Sequence, residues 1–132
     1  MQERHLFEYA VIRVVPRVER EEFLNVGVVM YCSRQKFLKT QFKLDEERLK
    51  VFSNHLDIEE LKAYLLSFEK ICNGGSQGGP IGQLALADRF RWLTAVRSTV
   101  VQTSPVHPGL CLNAQDNLEN LFSQLVCVNQ KI

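Results

Sequence analysis

Apolar and polar positions alternate through the first third of the chain and recur at helical spacing through much of the rest. Residues 7–15 are rich in β-branched and aromatic side chains, and Pro16, which cannot donate to a ladder, closes the run. The odd positions (Phe7, Tyr9, Val11, Arg13, Val15) and the even ones (Ala10, Ile12, Val14) are both mainly apolar, which predicts a central strand covered on two faces. After a charged connection, Leu24–Cys32 alternates again, with Leu24, Val26, Val28, Met30 and Cys32 on one predicted face and Asn25, Gly27, Val29 and Tyr31 on the other. Ser33 to Lys36 reads as a hairpin turn. Residues 37–44 then form a third predicted strand, Leu38, Thr40, Phe42 and Leu44 opposing Lys39, Gln41 and Lys43.

Helical spacing begins at Asp45, where Glu46 and Glu47 supply an acidic first turn and Leu49, Phe52 and Leu56 an apolar side. Asp57 caps a second predicted helix, with Glu60 at its third position and a stripe of Ile58, Leu61, Leu65, Phe68 and Ile71 that stops at Gly74 and Gly75. Residues 73–83 hold five of the seven glycines and read as a flexible surface loop. They lack the preceding strand and the Gly-Lys-Ser/Thr ending of a phosphate-binding loop, so a linker is the preferred reading. Leu86, Phe90 and Leu93 place a helix within residues 84–95, residues 98–103 read as a short strand, and residues 104–109, with two prolines and a glycine, as an irregular loop. Asn113 caps a final amphipathic helix, with Asp116 at its third position and Leu118, Leu121, Phe122 and Leu125 on one side. No internal repeat is present. This order predicts an α+β fold spanning residues 1–132 as one domain. An antiparallel or mixed sheet, begun by an N-terminal three-stranded meander, carries packed helices and ends in a C-terminal amphipathic helix.

Composition narrows the function classes. A chain of 132 residues with 45% apolar and 23% charged residues is of ordinary globular make-up, which excludes disordered and collagen-like readings. With 16 Lys and Arg against 15 Asp and Glu the net charge is +1, so no global field draws nucleic acid or an anionic membrane. The charged start and the lack of an apolar stretch of leader or spanning length lead to the expectation of a cytoplasmic protein without membrane contact. Cys32, Cys72, Cys111 and Cys127 are widely spaced and read as buried free thiols. His5, His55 and His107 show no ligand spacing beyond an isolated His107-x-x-x-Cys111 pair, and no dinucleotide fingerprint occurs, so no metal or cofactor is expected.

A few polar residues break the apolar pattern. Arg13 interrupts one face of the first strand, and its guanidinium needs a carboxylate, carbonyls or a ligand; an ion pair with Glu22 is preferred over an anion site. Asn25 and Gly27 share a predicted face, where Asn25 could bond across the sheet and Gly27 mark a bulge or close backbone approach. Arg97 and Ser98, followed by Ser104 and His107 in the Pro-rich loop, offer a base, hydroxyl nucleophiles and an oxyanion donor, but no nucleophile elbow and no third residue to orient the histidine. Lys36, Lys39, Lys43, Arg48 and Lys50, with Arg89, Arg91 and Trp92, allow a local basic stripe; a solvated edge strand is the preferred reading over nucleic acid.

The segments at residues 9–16, 21–29 and 89–94, with Arg97-Ser98 and the Ser104-Pro-Val-His-Pro-Gly109 loop, resemble the bacterial domain-of-unknown-function family numbered three thousand and thirty-seven. The resemblance covers nearly the whole chain and is most specific in residues 20–28 and in that loop. The family's motif residues fall here on Arg13, Pro16, Glu22, Asn25, Gly27, Trp92, Arg97, Ser98, Ser104, His107 and Gly109. The family carries no established activity. Some members are encoded beside HipA-like kinases, which implies an accessory role with such a kinase as partner. The expectation from sequence is therefore an accessory or protein-interaction module with a polar groove formed by Arg13, Glu22, Asn25, Arg97, Ser98, Ser104 and His107. The alternative is an enzyme or sensor in which Arg13 and Arg97 clamp a phosphorylated or nucleotide-like anion and His107 moves a proton.

Overall fold

The spine of the sheet is β1 (His5–Val14), paired on one edge with β2 (Leu24–Cys32), which in turn pairs with β3 (Phe37–Phe42). The structure, a computed structural model, describes residues 3–127. On the other edge of β1 lie β4 (Val101–Thr103), against its C-terminal end, and β5 (His107–Cys111), against its N-terminal half. All pairings are antiparallel. The expected α+β architecture, its N-terminal meander and its C-terminal helix are present, and the sheet is antiparallel rather than mixed.

Helices cover both faces. Ala10, Ile12, Val14, Val29 and Leu38 pack against α1 (Glu46–Phe52), α2 (Ile58–Asn73) and α4 (Leu86–Leu93) through Leu49, Leu61, Leu65, Phe68, Phe90 and Leu93. Phe7, Val28, Met30 and Cys32 pack on the other face against Ala114, Leu118 and Phe122 of α5 (Ala114–Leu125). Each of the Val, Leu, Ile, Phe and Met side chains among them stabilises the fold by about 1.5–3 kcal/mol when buried, which is why the strand positions are apolar on both sides. Asp45, Asp57 and Asn113 cap α1, α2 and α5 as their positions predict, accepting the N–H of Arg48, Glu60 and Asp116.

Four expectations are corrected. In β2 the register shifts after the Ile12–Gly27 pair, so that Arg13 faces Asn25 and Val26 is an extra residue. This bulge reverses the parity, and Leu24 and Val26 join the α2 face instead of the face of Val28 and Met30. Gly27 sits at the bulge because a Cβ there would lie 2.8 Å from both the Gln41 carbonyl and the Phe42 Cβ. The second correction concerns the glycine-rich segment, which is folded. Gly74 ends α2 at φ 78, Gly75 donates to the Gly82 carbonyl over 3.0 Å, and a short turn and α3 (Gly79–Gly82) lie between.

Third, the second half of the predicted irregular loop is the start of β5. Residues 101–111 run along β1 as one strand interrupted at Ser104, with one more residue than the stretch they face. Fourth, Cys32, Cys72 and Cys111 are buried but Cys127 is exposed; all four are free thiols. Among the described residues no helix is long and apolar enough to cross a membrane.

Candidate functional site

The expected polar residues divide among three places. Arg13 and Asn25 are register partners on the α5 face of the sheet. The Arg13 guanidinium lies 4.0 Å over the Phe23 ring, a cation–π contact, and its Nε is buried without a partner. The expected Arg13–Glu22 ion pair does not form. Glu22 accepts instead from Arg20 Nε at the surface, and that guanidinium holds its carboxyl below the usual carboxylate range. Asn25 Nδ2 donates to the Leu125 carbonyl over 3.2 Å, while its Oδ1 is buried with no donor.

Arg97 acts at the end of α4. Its Nη atoms donate to the carbonyls of Leu93 (3.1 Å), Ala95 (3.3 Å) and Trp92, and its guanidinium lies 4.5 Å over the Trp92 ring. Trp92 and Leu93 belong to the last turn of α4, where carbonyls have no helical partners ahead of them and a cation also complements the dipole. Ser98 is exposed in the connection that follows.

Ser104 and His107 belong to the outer strand. Ser104 is 2% exposed; its N–H donates to the Val11 carbonyl and its Oγ accepts from the Val11 N–H, each over 2.8 Å. The hydroxyl thus stands in for the carbonyl that the strand interruption removes, and it donates onward to the Pro105 carbonyl over 2.9 Å. His107 is exposed, opposite Tyr9, with ring centroids 5.4 Å apart.

A groove along α2 is composed of two adjoining hollows. One, of about 520 Å³, lies between the end of β1, the α1–α2 turn and the α4–β4 connection, and is lined by Arg17, His55, Asp57, Tyr64, Ser98 and Val100 among others. The second, of about 330 Å³, lies between α2 and α4 over Phe68, Ile71, Trp92, Leu93 and Arg97. Glu60 and Tyr64 line both, so the two hollows adjoin along α2. Of the expected site residues, the groove holds Ser98 and Arg97, and a small recess beside Arg17 holds Glu22. Among the described residues its hydroxyls, His55 and carboxylates form no nucleophile–base hydrogen bond; Asp57 is occupied as the cap of α2. Nor do three His, Cys, Asp or Glu side chains meet as a metal ion would require, among the described residues.

Sequence reading did not single out His55, Glu60 or Tyr64 as site residues, because they line one hollow only once the α1–α2 turn and the α4–β4 connection are brought to it. It also placed Arg89 among exposed cations. Arg89 is 9% exposed and donates to the carbonyls of Leu84 (2.9 Å), Ile71 (2.9 Å) and Cys72 (2.7 Å), fastening the end of α2 to α4. The available signal was spacing, since Arg89 falls between Leu86 and Phe90 on the buried side of its helix.

The family model described as protein of unknown function (DUF3037) matches residues 9–126. The chain belongs to that family. The DUF3037 match runs from within β1 to just past α5, so it contains the groove along α2, the Ser104 interruption and the Arg13–Asn25 pair. No curated protein and no solved structure matches the chain.

Proposed function

We propose that the protein is an accessory, protein-interaction module and that the groove along α2 receives a segment of its partner. The observation that carries this reading is the surface around that groove. Val18 (47%), Trp92 (41%) and Val100 (42%) keep apolar side chains in water beside a floor of Leu61, Phe68 and Leu93. Apolar exposure gathered at a concave site favours docking of an apolar partner group. Glu60 stands where the two hollows meet and makes no ion pair among the described residues. The matching occupant is an amphipathic segment with an aliphatic or aromatic anchor and a Lys or Arg beside it. Because some family members resembling this chain are encoded with HipA-like kinases, such a kinase of the same host is the first partner to test.

The alternative, an anion clamped by Arg13, Arg97 and His107, loses support. Arg97 is committed to the end of α4, Arg13 stacks on Phe23, and His107 stands on the outer strand. Co-purification tests the module. The wild-type chain should retain the kinase, Tyr64→Ala and Ser67→Arg in the groove should release it, and Leu110→Arg on the remote strand should not. Retention by both groove variants would overturn the reading.

A further inference from the structure

The two edges of the sheet differ in charge. β3 forms one edge and carries Lys39, with Lys36 and Lys43 at its ends, a common guard against edge-to-edge pairing. On the other side β5 pairs with β1 alone, and residues 98–115 include no Asp, Glu, Lys or Arg in a chain that is 23% charged. The direction of the β5 backbone follows from β1. Val11 exchanges bonds through both its N–H and its carbonyl with Ser104, so its alternate neighbours Tyr9, Phe7 and His5 also turn their backbone groups to this side. Their partners His107, Gly109 and Cys111 face inward, which leaves the backbone of Pro108 and Leu110 pointing away from the sheet. The Leu112 N–H points outward as well, because it shares a trans peptide with the inward carbonyl of Cys111. By alternation the side chains of Pro108 and Leu110 lie on the face opposite to Cys111, Phe7 and α5. There Leu110 and its register partner Leu6 are each 60% exposed, and Leu112 is 49% exposed.

We propose that this edge is a dimer interface, occupied by β5 of a second copy of the chain, paired antiparallel about a two-fold axis at Leu110. In that register Leu110 donates to and accepts from Leu110 of the other copy, and the Leu112 N–H donates to the other copy's Pro108 carbonyl. Pro108 has no N–H to return, and the Leu112 carbonyl opposite it is already taken by Gln35 Nε2 over 2.9 Å. The donor that proline removes thus meets the acceptor that is engaged, and every outward backbone group from Pro108 to Leu112 finds a partner. A two-fold axis matches that gap on both sides at once, which a foreign strand does only if it carries the same defect at the same place. The pairing also stacks Leu110 on its mate and sets Leu112 beside Pro108 of the other copy, with no like charges opposed in residues 98–115. The surface shares no residue with the groove along α2 and stands or falls without it.

Sedimentation equilibrium of the full chain up to about 500 µM tests the proposal, with amide hydrogen exchange on the same samples. The wild-type chain should have the mass of two copies at the top of that range. Leu110→Arg, altered at an exposed position, sets two like charges at the axis and should stay monomeric throughout. Leu66→Arg, on the exposed side of α2, should dimerise as the wild type does. The Leu112 amide should exchange about tenfold or more slower in the wild-type dimer than in the Leu110→Arg monomer. A wild-type chain that is monomeric at about 500 µM, a Leu110→Arg variant that still dimerises, or a Leu112 amide that exchanges equally fast in both would each overturn the proposal.

Discussion

Ser104 shows how a polar residue in a candidate cluster can belong to the fold. Its hydroxyl and N–H both bond Val11, a partner distant in sequence, so no local pattern announces the pairing. Replacing Ser104 with Ala leaves the Val11 N–H buried without an acceptor, and urea unfolding should show a loss of about 1–3 kcal/mol. A loss within error would mean that the interruption of the outer strand does not depend on the hydroxyl. Arg13, Asn25 and Ser104 were all legible as unusual from sequence, because each is polar in a β-prone or Pro-fixed setting. Their partners Phe23, Leu125 and Val11 were not, since those depend on register and on where α5 docks. The cysteines offer a second check at this scale. Cys127 is exposed and the other three are buried, so brief alkylation of the native protein should modify one thiol, and mass spectrometry should place it on Cys127.

The joint between α2 and α4 brings charge, burial and capping together. Arg89 satisfies the last carbonyls of α2, where Gly74 turns the chain at positive φ with its Cα facing the guanidinium. Arg89→Met keeps the stem and removes the donors, and should lower stability by about 3 kcal/mol in a denaturant titration. Beside it, burial pushes the Cys72 thiol from 9.0 up to about 12. The thiol is neutral in the folded state and ionises first in the unfolded one, so its stabilising contribution is whole below pH 9.0 and is lost as pH rises towards about 12. Burial moves Cys111 in the same direction. Urea midpoints should therefore fall between pH 9 and 11, and Cys72→Ala should flatten that slope; an equal slope in the variant would remove Cys72 from the account. The helix caps were readable because each is local: an Asp or Asn ahead of an apolar stripe. The bulge at Val26 and the strand β5 were not, since a single extra residue and a Pro-containing edge strand look like a continuous strand and a loop until β1 is placed beside them.

At the scale of the molecule, the sheet and its two helical layers leave a groove along α2 that is apolar with a carboxylate at its middle. The groove combines residues from three separated segments, which is why hydropathy patterning placed its helices correctly without revealing it. Of its lining, Trp92 is the chain's single tryptophan and is 41% exposed. That makes docking directly observable. Labelled with fluorotryptophan, the protein has one fluorine resonance, from Trp92, which can be followed as a HipA-like kinase is added. The account predicts a saturable shift or broadening of that resonance, lost in Tyr64→Ala. A resonance that stays unchanged while the two proteins bind, or an absence of binding, would contradict it.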